Sequence, residues 1–69
     1  MKSVISVYNM NKSKDVGKIQ EAISMNEGVI ACEISLENKE IQIIYNERIV
    51  NLNDIIDSIE NLGYMIGLN

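Results

Sequence analysis

Hydrophobic residues along this 69-residue chain change period twice in the same order: every second residue, then every third or fourth, then every second again. Residues 3–8 alternate, with Ile5 and Val7 on one side and Val4, Ser6 and Tyr8 on the other, as a half-buried strand requires. After a polar, turn-like stretch over 9–13, Val16, Ile19, Ala22 and Ile23 fall at helical spacing. Ser13 or Asn11 is placed to cap this helix, Asp15 suits its first turn, and Gly28 is placed to end it. A second alternating run puts Ile30, Cys32, Ile34 and Leu36 on one face and Ala31, Glu33, Ser35 and Glu37 on the other. A turn at 37–39 follows, then Ile41, Ile43 and Tyr45 alternate with Gln42 and Ile44. A second helix is expected from Leu52, capped by Asn51, with Val50 and Ile55 as a hydrophobic staple. Ile55, Ile59 and Leu62 run along one face of it, supported by Leu52 and Ile56. Gly63 stops it, and 64–68 form a last strand with Ile66 and Leu68 inward.

The element order is therefore βαββαβ. Right-handed crossovers place both helices on one side of a single sheet. The expected fold class is α+β: a ferredoxin-like sandwich whose four-stranded antiparallel sheet has the order 4-1-3-2 and leaves its other face open. No linker, repeat or composition shift interrupts residues 1–69, so a single domain is expected.

Composition narrows the chemistry. There is no His and one Cys, which excludes an intrachain disulfide, an ordinary tetrahedral zinc site and a Ser-His or Cys-His nucleophile pair. No convergent acid/base set is visible, so no catalytic residue is assigned and no enzyme is expected. A net charge of −4 argues against nucleic acid. The longest apolar stretch, 62–68, is too short to span a bilayer, so no membrane insertion is expected. Lys2 is followed by Ser3, and Ser6 and Asn9 interrupt any apolar core, so no leader is expected and a cytoplasmic location is.

Several functions use this topology, and each needs different residues. Base-stacking aromatics are lacking, because the central strands offer only Tyr8 and the inward Tyr45. A phosphate-cradling Arg after the first strand is lacking too, since Arg48 precedes the second helix. The pieces Val7, Met10, Val16, Ile19, the 21–23 run, Gly28-Val29, the 34–36 run and the 59–64 run ending Leu62-Gly63-Tyr64 are similar, without a gap, to the bacterial copper-chaperone pattern. On these residues the chain resembles a heavy-metal-associated domain. The family's loop reads Gly-Met-x-Cys-x-x-Cys, and here residues 9–15 carry Lys12 and Asp15 where the two Cys would stand. A soft ion such as Cu(I) wants two thiolates, and an ammonium and a carboxylate do not replace them. The resemblance thus implies the fold and a metal site that has been lost, with no metal and no cofactor expected.

The remaining residues divide between packing and docking. Cys32 reads as a small buried hydrophobe, and the resemblance implies that Met10 folds beneath the loop and that Tyr64 packs beside it. Asp54, Asp57 and Glu60 read as a solvated helix face. Residues 1–18 carry Lys2, Lys12, Lys14 and Lys18 against Asp15 alone, a net +3, whereas 19–69 carry −7. The one basic area surrounds the former metal loop, so Met10, Lys12, Ser13, Lys14, Asp15, Lys18 and Tyr64 form the candidate docking surface. A Lys12–Asp15 ion pair is expected to stand in for the missing ion. By parity Val4, Tyr8, Ile44 and Met65 share the open sheet face and are expected to cluster, as a second candidate surface for a protein partner or for self-association. Two functional readings follow: a non-enzymatic interaction or regulatory module with a degenerate metal site, or a metal handler that uses Met10 and Asp15 together with a partner's thiols.

Overall fold

The computed structural model describes residues 1–68. The elements run β1 (Lys2–Val7), α1 (Ser13–Ser24), β2 (Val29–Ser35), β3 (Glu40–Tyr45), α2 (Leu52–Glu60) and β4 (Ile66–Leu68). The sheet order is β2-β3-β1-β4, every neighbouring pair being antiparallel; this is the expected 4-1-3-2 read from the other edge.

The period-2 residues meet the helices on one face. Ile5, Val7, Ile41, Ile43 and Tyr45 from the sheet are buried against Ile19 and Ile23 of α1 and Ile55 and Ile59 of α2. Tyr45 keeps its hydroxyl within 3.1 Å of Ser3 Oγ, which satisfies the one polar atom this packing would strand. Cys32 is half-buried against this core, and burial pushes its thiol pKa up. Asn51 caps α2 as expected, its Oδ1 accepting from the Asp54 N–H at 2.9 Å.

Five local expectations are corrected. The N-cap of α1 is Lys12, not Ser13 or Asn11. Gly28 does not end α1, which stops at Ser24 with Met25 as C-cap. The Asn26 side chain donates to the carbonyls of Ala22 and Ile23, so it takes up acceptors a C-cap glycine would have served. Gly28 instead turns the chain into β2 at φ +100°, where a Cβ would lie 2.9 Å from Ile49 and Val50 side-chain atoms. Ile30 is not inward but 70% exposed. A bulge between Val29 and Ala31 displaces it from the ladder, and Val29 packs on the core in its place. Leu62 lies in the turn past α2 and is 49% exposed, because the helix ends at Glu60 before its period reaches that residue. The last strand begins at Ile66, not Tyr64; Ile66 packs on the core, and the side chain of Leu68 lies outside the described residues.

Candidate functional site

The segment between β1 and α1 is tied down at each end and from beneath. Tyr8 N–H donates to the Met65 carbonyl at 3.0 Å, and Met10 N–H turns back to the Val7 carbonyl. The Met10 side chain inserts into the core and is fully buried, as the resemblance implied. Its thioether therefore anchors the loop and is not presented to solvent.

Around that anchor lies a polar network. The Asn9 amide bridges the segment before β4: Oδ1 accepts from Met65 N–H at 2.8 Å and Nδ2 donates to the Gly63 carbonyl at 3.1 Å. Asp15, in the first turn of α1, uses both carboxylate oxygens. Oδ2 accepts from the backbone N–H groups of Asn11 at 3.1 Å and Lys12 at 3.0 Å. Oδ1 accepts from the Tyr64 hydroxyl at 2.7 Å. Lys39 reaches across from the β2–β3 turn, where it adopts φ 55°, and donates to Asn11 Oδ1 at 3.0 Å and to the Tyr8 carbonyl.

These bonds set the electrostatics. The Tyr64 hydroxyl, the two backbone N–H groups and the charge of Lys18 hold the Asp15 carboxyl at about 2. The same bond to Asp15, then burial, then the carboxylate's charge push Tyr64 up to about 12. The expected Lys12–Asp15 ion pair is not formed. Among the described residues the Lys12 ammonium has neither an ion pair nor a hydrogen bond; Lys12 contributes its backbone N–H. The cause is local: the Asp15 carboxylate reaches back to the N–H groups of Asn11 and Lys12 just before the helix, and these together with the Tyr64 hydroxyl use up its oxygens.

The sequence-predicted residues therefore separate. Asp15, Tyr64 and Met10 converge on the loop, whereas Lys12, Ser13, Lys14 and Lys18 are exposed around the start of α1. Asn9, Asn11 and Lys39 escaped notice in the sequence. Asn9 reads only as a turn residue and Asn11 only as a turn residue or helix cap, and nothing near Lys39 in the chain marks a contact with Asn11, 28 positions away.

On the open face the four expected apolar residues divide into two pairs. Strand register places Val4 beside Gln42 and diagonal to Ile44, which lies opposite Lys2. Tyr8 and Met65 sit at the other end, beyond Ser6 and Gly67. The Tyr8 ring lies over Gly67, where a Cβ would run into its hydroxyl and ring carbons.

The donors present do not fit a soft metal ion. Both oxygens of Asp15 are engaged, Met10 is enclosed, and Cys32 aligns through Ile43 with Ser3, at the end of β1 away from the loop. Among the described residues no three His, Cys, Asp or Glu side chains group as metal ligands.

A βαββαβ chain with both helices on one face of a four-stranded antiparallel sheet defines the ferredoxin-like class. The heavy-metal-associated domain model matches residues 4–65, and the chain belongs to that family. The family's domains are metal-binding modules, generally without catalytic activity. The CopZ metallochaperone superposes with a TM-score of 0.93 at 22% identity, covering 97% of this chain and 100% of its own. The yeast copper transporter domain Ccc2a, solved in apo and Cu(I)-loaded states, gives 0.90 at 26% identity, covering 99% and 93%. The Atx1–Cu(I)–Ccc2a complex gives 0.83 at 27% identity, covering 97% and 92%. No helix of the described residues is long and apolar enough to cross a membrane.

Proposed function

We propose that this protein is a non-enzymatic heavy-metal-associated domain in which loop 9–15 serves protein docking and not thiolate metal capture. The observation that carries the reading is Asp15. It stands at the second thiolate position of the family pattern, and internal N–H and O–H donors occupy both of its oxygens. Loop shape then depends on hydrogen bonds and a buried Met10, and not on metal supply. The exposed Lys12, Lys14 and Lys18 around the start of α1 suit a partner with an acidic surface. That a chain of the Atx1–Cu(I)–Ccc2a complex shares this fold supports docking as a use of it.

Competition for Cu(I) against a chromophoric chelator tests the first half. One equivalent of protein is expected to withdraw no Cu(I), and a sub-micromolar affinity would overturn the reading. Titration with an oligoglutamate peptide, followed by amide shifts, tests the second. Shifts confined to residues 11–18 and abolished by salt are expected. Equal shifts in a Lys12→Glu, Lys14→Glu, Lys18→Glu variant would remove the basic surface from the argument.

A further inference from the structure

The open sheet face carries a two-row block on its three strands β2, β3 and β1. One row is Ala31–Ile44–Lys2 and the next is Glu33–Gln42–Val4. Lys2 and Glu33 occupy opposite corners, Val4 and Ala31 the other two. Ile44, in the middle of its row, is 42% exposed, and Val4 is half-buried. The block holds an open depression of about 320 Å³ whose lining includes Lys2, Ala31, Glu33, Gln42 and Ile44. Among the described residues neither the Lys2 nor the Glu33 side chain has an ion pair or a hydrogen bond.

From this pattern we infer that the block is the interface of a weak, symmetric dimer, its occupant a second copy of the same chain. The argument is charge complementarity under a two-fold axis. A face-to-face pair is related by an axis lying in the plane between the two sheets. If that axis runs perpendicular to the Lys2–Glu33 diagonal, Lys2 of each copy falls over the partner's Glu33, and the same operation returns the second pair. An isologous contact needs a patch that complements itself, and unlike charges at opposite corners of the block supply it. Ile44 then turns towards the partner's Ala31, and Val4 towards the partner's Gln42, with the charged pairs at two opposite corners. The block is small and each copy carries −4, so association is weak and concentration-dependent.

Sedimentation equilibrium of the full chain at about 0.15 M salt, where charges beyond about 8 Å are screened, tests this together with amide shifts on dilution. A monomer–dimer equilibrium with a dissociation constant of about 0.1–1 mM is expected, near the −4.1 kcal/mol of a millimolar complex. The shifting amides should lie on β1, β2 and β3. Lys2→Glu and Glu33→Lys each replace two attractions per dimer with two repulsions and should weaken association at least about tenfold. The double variant Lys2→Glu/Glu33→Lys should restore it to within about threefold. Both positions are exposed, so circular dichroism should show the fold intact in all three. A monomer at 2 mM (about twice the weakest expected constant), dilution shifts on the helices or the loop, or a double variant as weak as the singles would each overturn the inference. Because no docking partner enters the experiment, its failure leaves the loop reading standing, and failure of the loop reading leaves the dimer standing.

Discussion

The two helices of this domain begin in nearly the same way and end up doing different things. Each follows a buried apolar anchor, Met10 before α1 and Val50 before α2, and each has aspartate at its third helical position, Asp15 and Asp54. At α2 the cap is self-sufficient: Asn51 accepts from Asp54 N–H, and the Asp54 carboxylate is exposed. At α1 the cap residue is Lys12, whose side chain cannot accept, and the side-chain bond runs the other way: the Asp15 carboxylate accepts from the N–H groups of Lys12 and Asn11, which precede the helix. Asp15 binds two backbone donors and also Tyr64, 49 residues on. The start of α2 is a local structure. The start of α1 is a joint between the loop and the segment entering β4.

Removing the anchor of the joint should have the largest effect. Met10→Ala deletes a fully buried side chain and should cost about 2–5 kcal/mol in chemical denaturation. A cost near zero would mean the loop does not rest on Met10. Next, Asn51→Ala should cost about 1 kcal/mol, while Asn51→Asp costs little. Neither should alter NMR order parameters of residues 9–15, and a change there would make the two helix starts less independent than the contrast requires.

The third test separates the aspartates by pH. Asp15 has its pKa depressed from 3.8 to about 2 in the folded chain, so between those values the unfolded chain binds more protons. Its contribution to stability is present above pH 3.8 and is lost as pH falls through about 2. Tyr64 is raised from 10.0 to about 12, so its share is present below pH 10 and is lost as pH rises through about 12. Asp15→Asn should therefore loosen residues 9–15 and lower the denaturation midpoint at neutral pH, with the difference from wild type shrinking below pH 3.8. In the same variant the tyrosine that ionises near 12 should ionise closer to 10 in an ultraviolet titration. If Asp54→Asn does the same, or Asp15→Asn does neither, the joint is absent. The smallest effect belongs to Lys12→Ala. Its ammonium is unpartnered among the described residues, so stability should change by no more than about 0.5 kcal/mol, and loop order should be kept. Loop disorder in this variant would restore the Lys12–Asp15 pair.

Those contrasts show where sequence reading reached and where it stopped. Asn51 and its helix were legible because an N-cap acts within three residues, and the requirement is chemical. The inward faces of β1 and β3 were legible for a similar reason: alternation forces Ile5, Val7, Ile41, Ile43 and Tyr45 to one side. Ile30 was misplaced because a bulge inserts one residue into one strand, and nothing in alternation alone announces it. Leu62 was misplaced because periodicity continues on paper after a helix has stopped.

The site divides along the same line. Order of elements and sheet topology follow from residue types and spacing, and the buried Met10 and the replaced Cys pair from the resemblance to the family. These are local periodicities and the presence or absence of particular atoms. What Asp15 bonds to, by contrast, depended on which donors the fold brings near it. Spacing alone pairs it with Lys12, three residues away, yet the carboxylate meets Tyr64 and two backbone N–H groups. Lys39 reaches Asn11 only because β3 lies beside β1 and delivers the β2–β3 turn to the loop. A hydrogen bond is decided within about 3 Å and by angle, and separations of 28 or 49 residues close to that distance only after the sheet has formed.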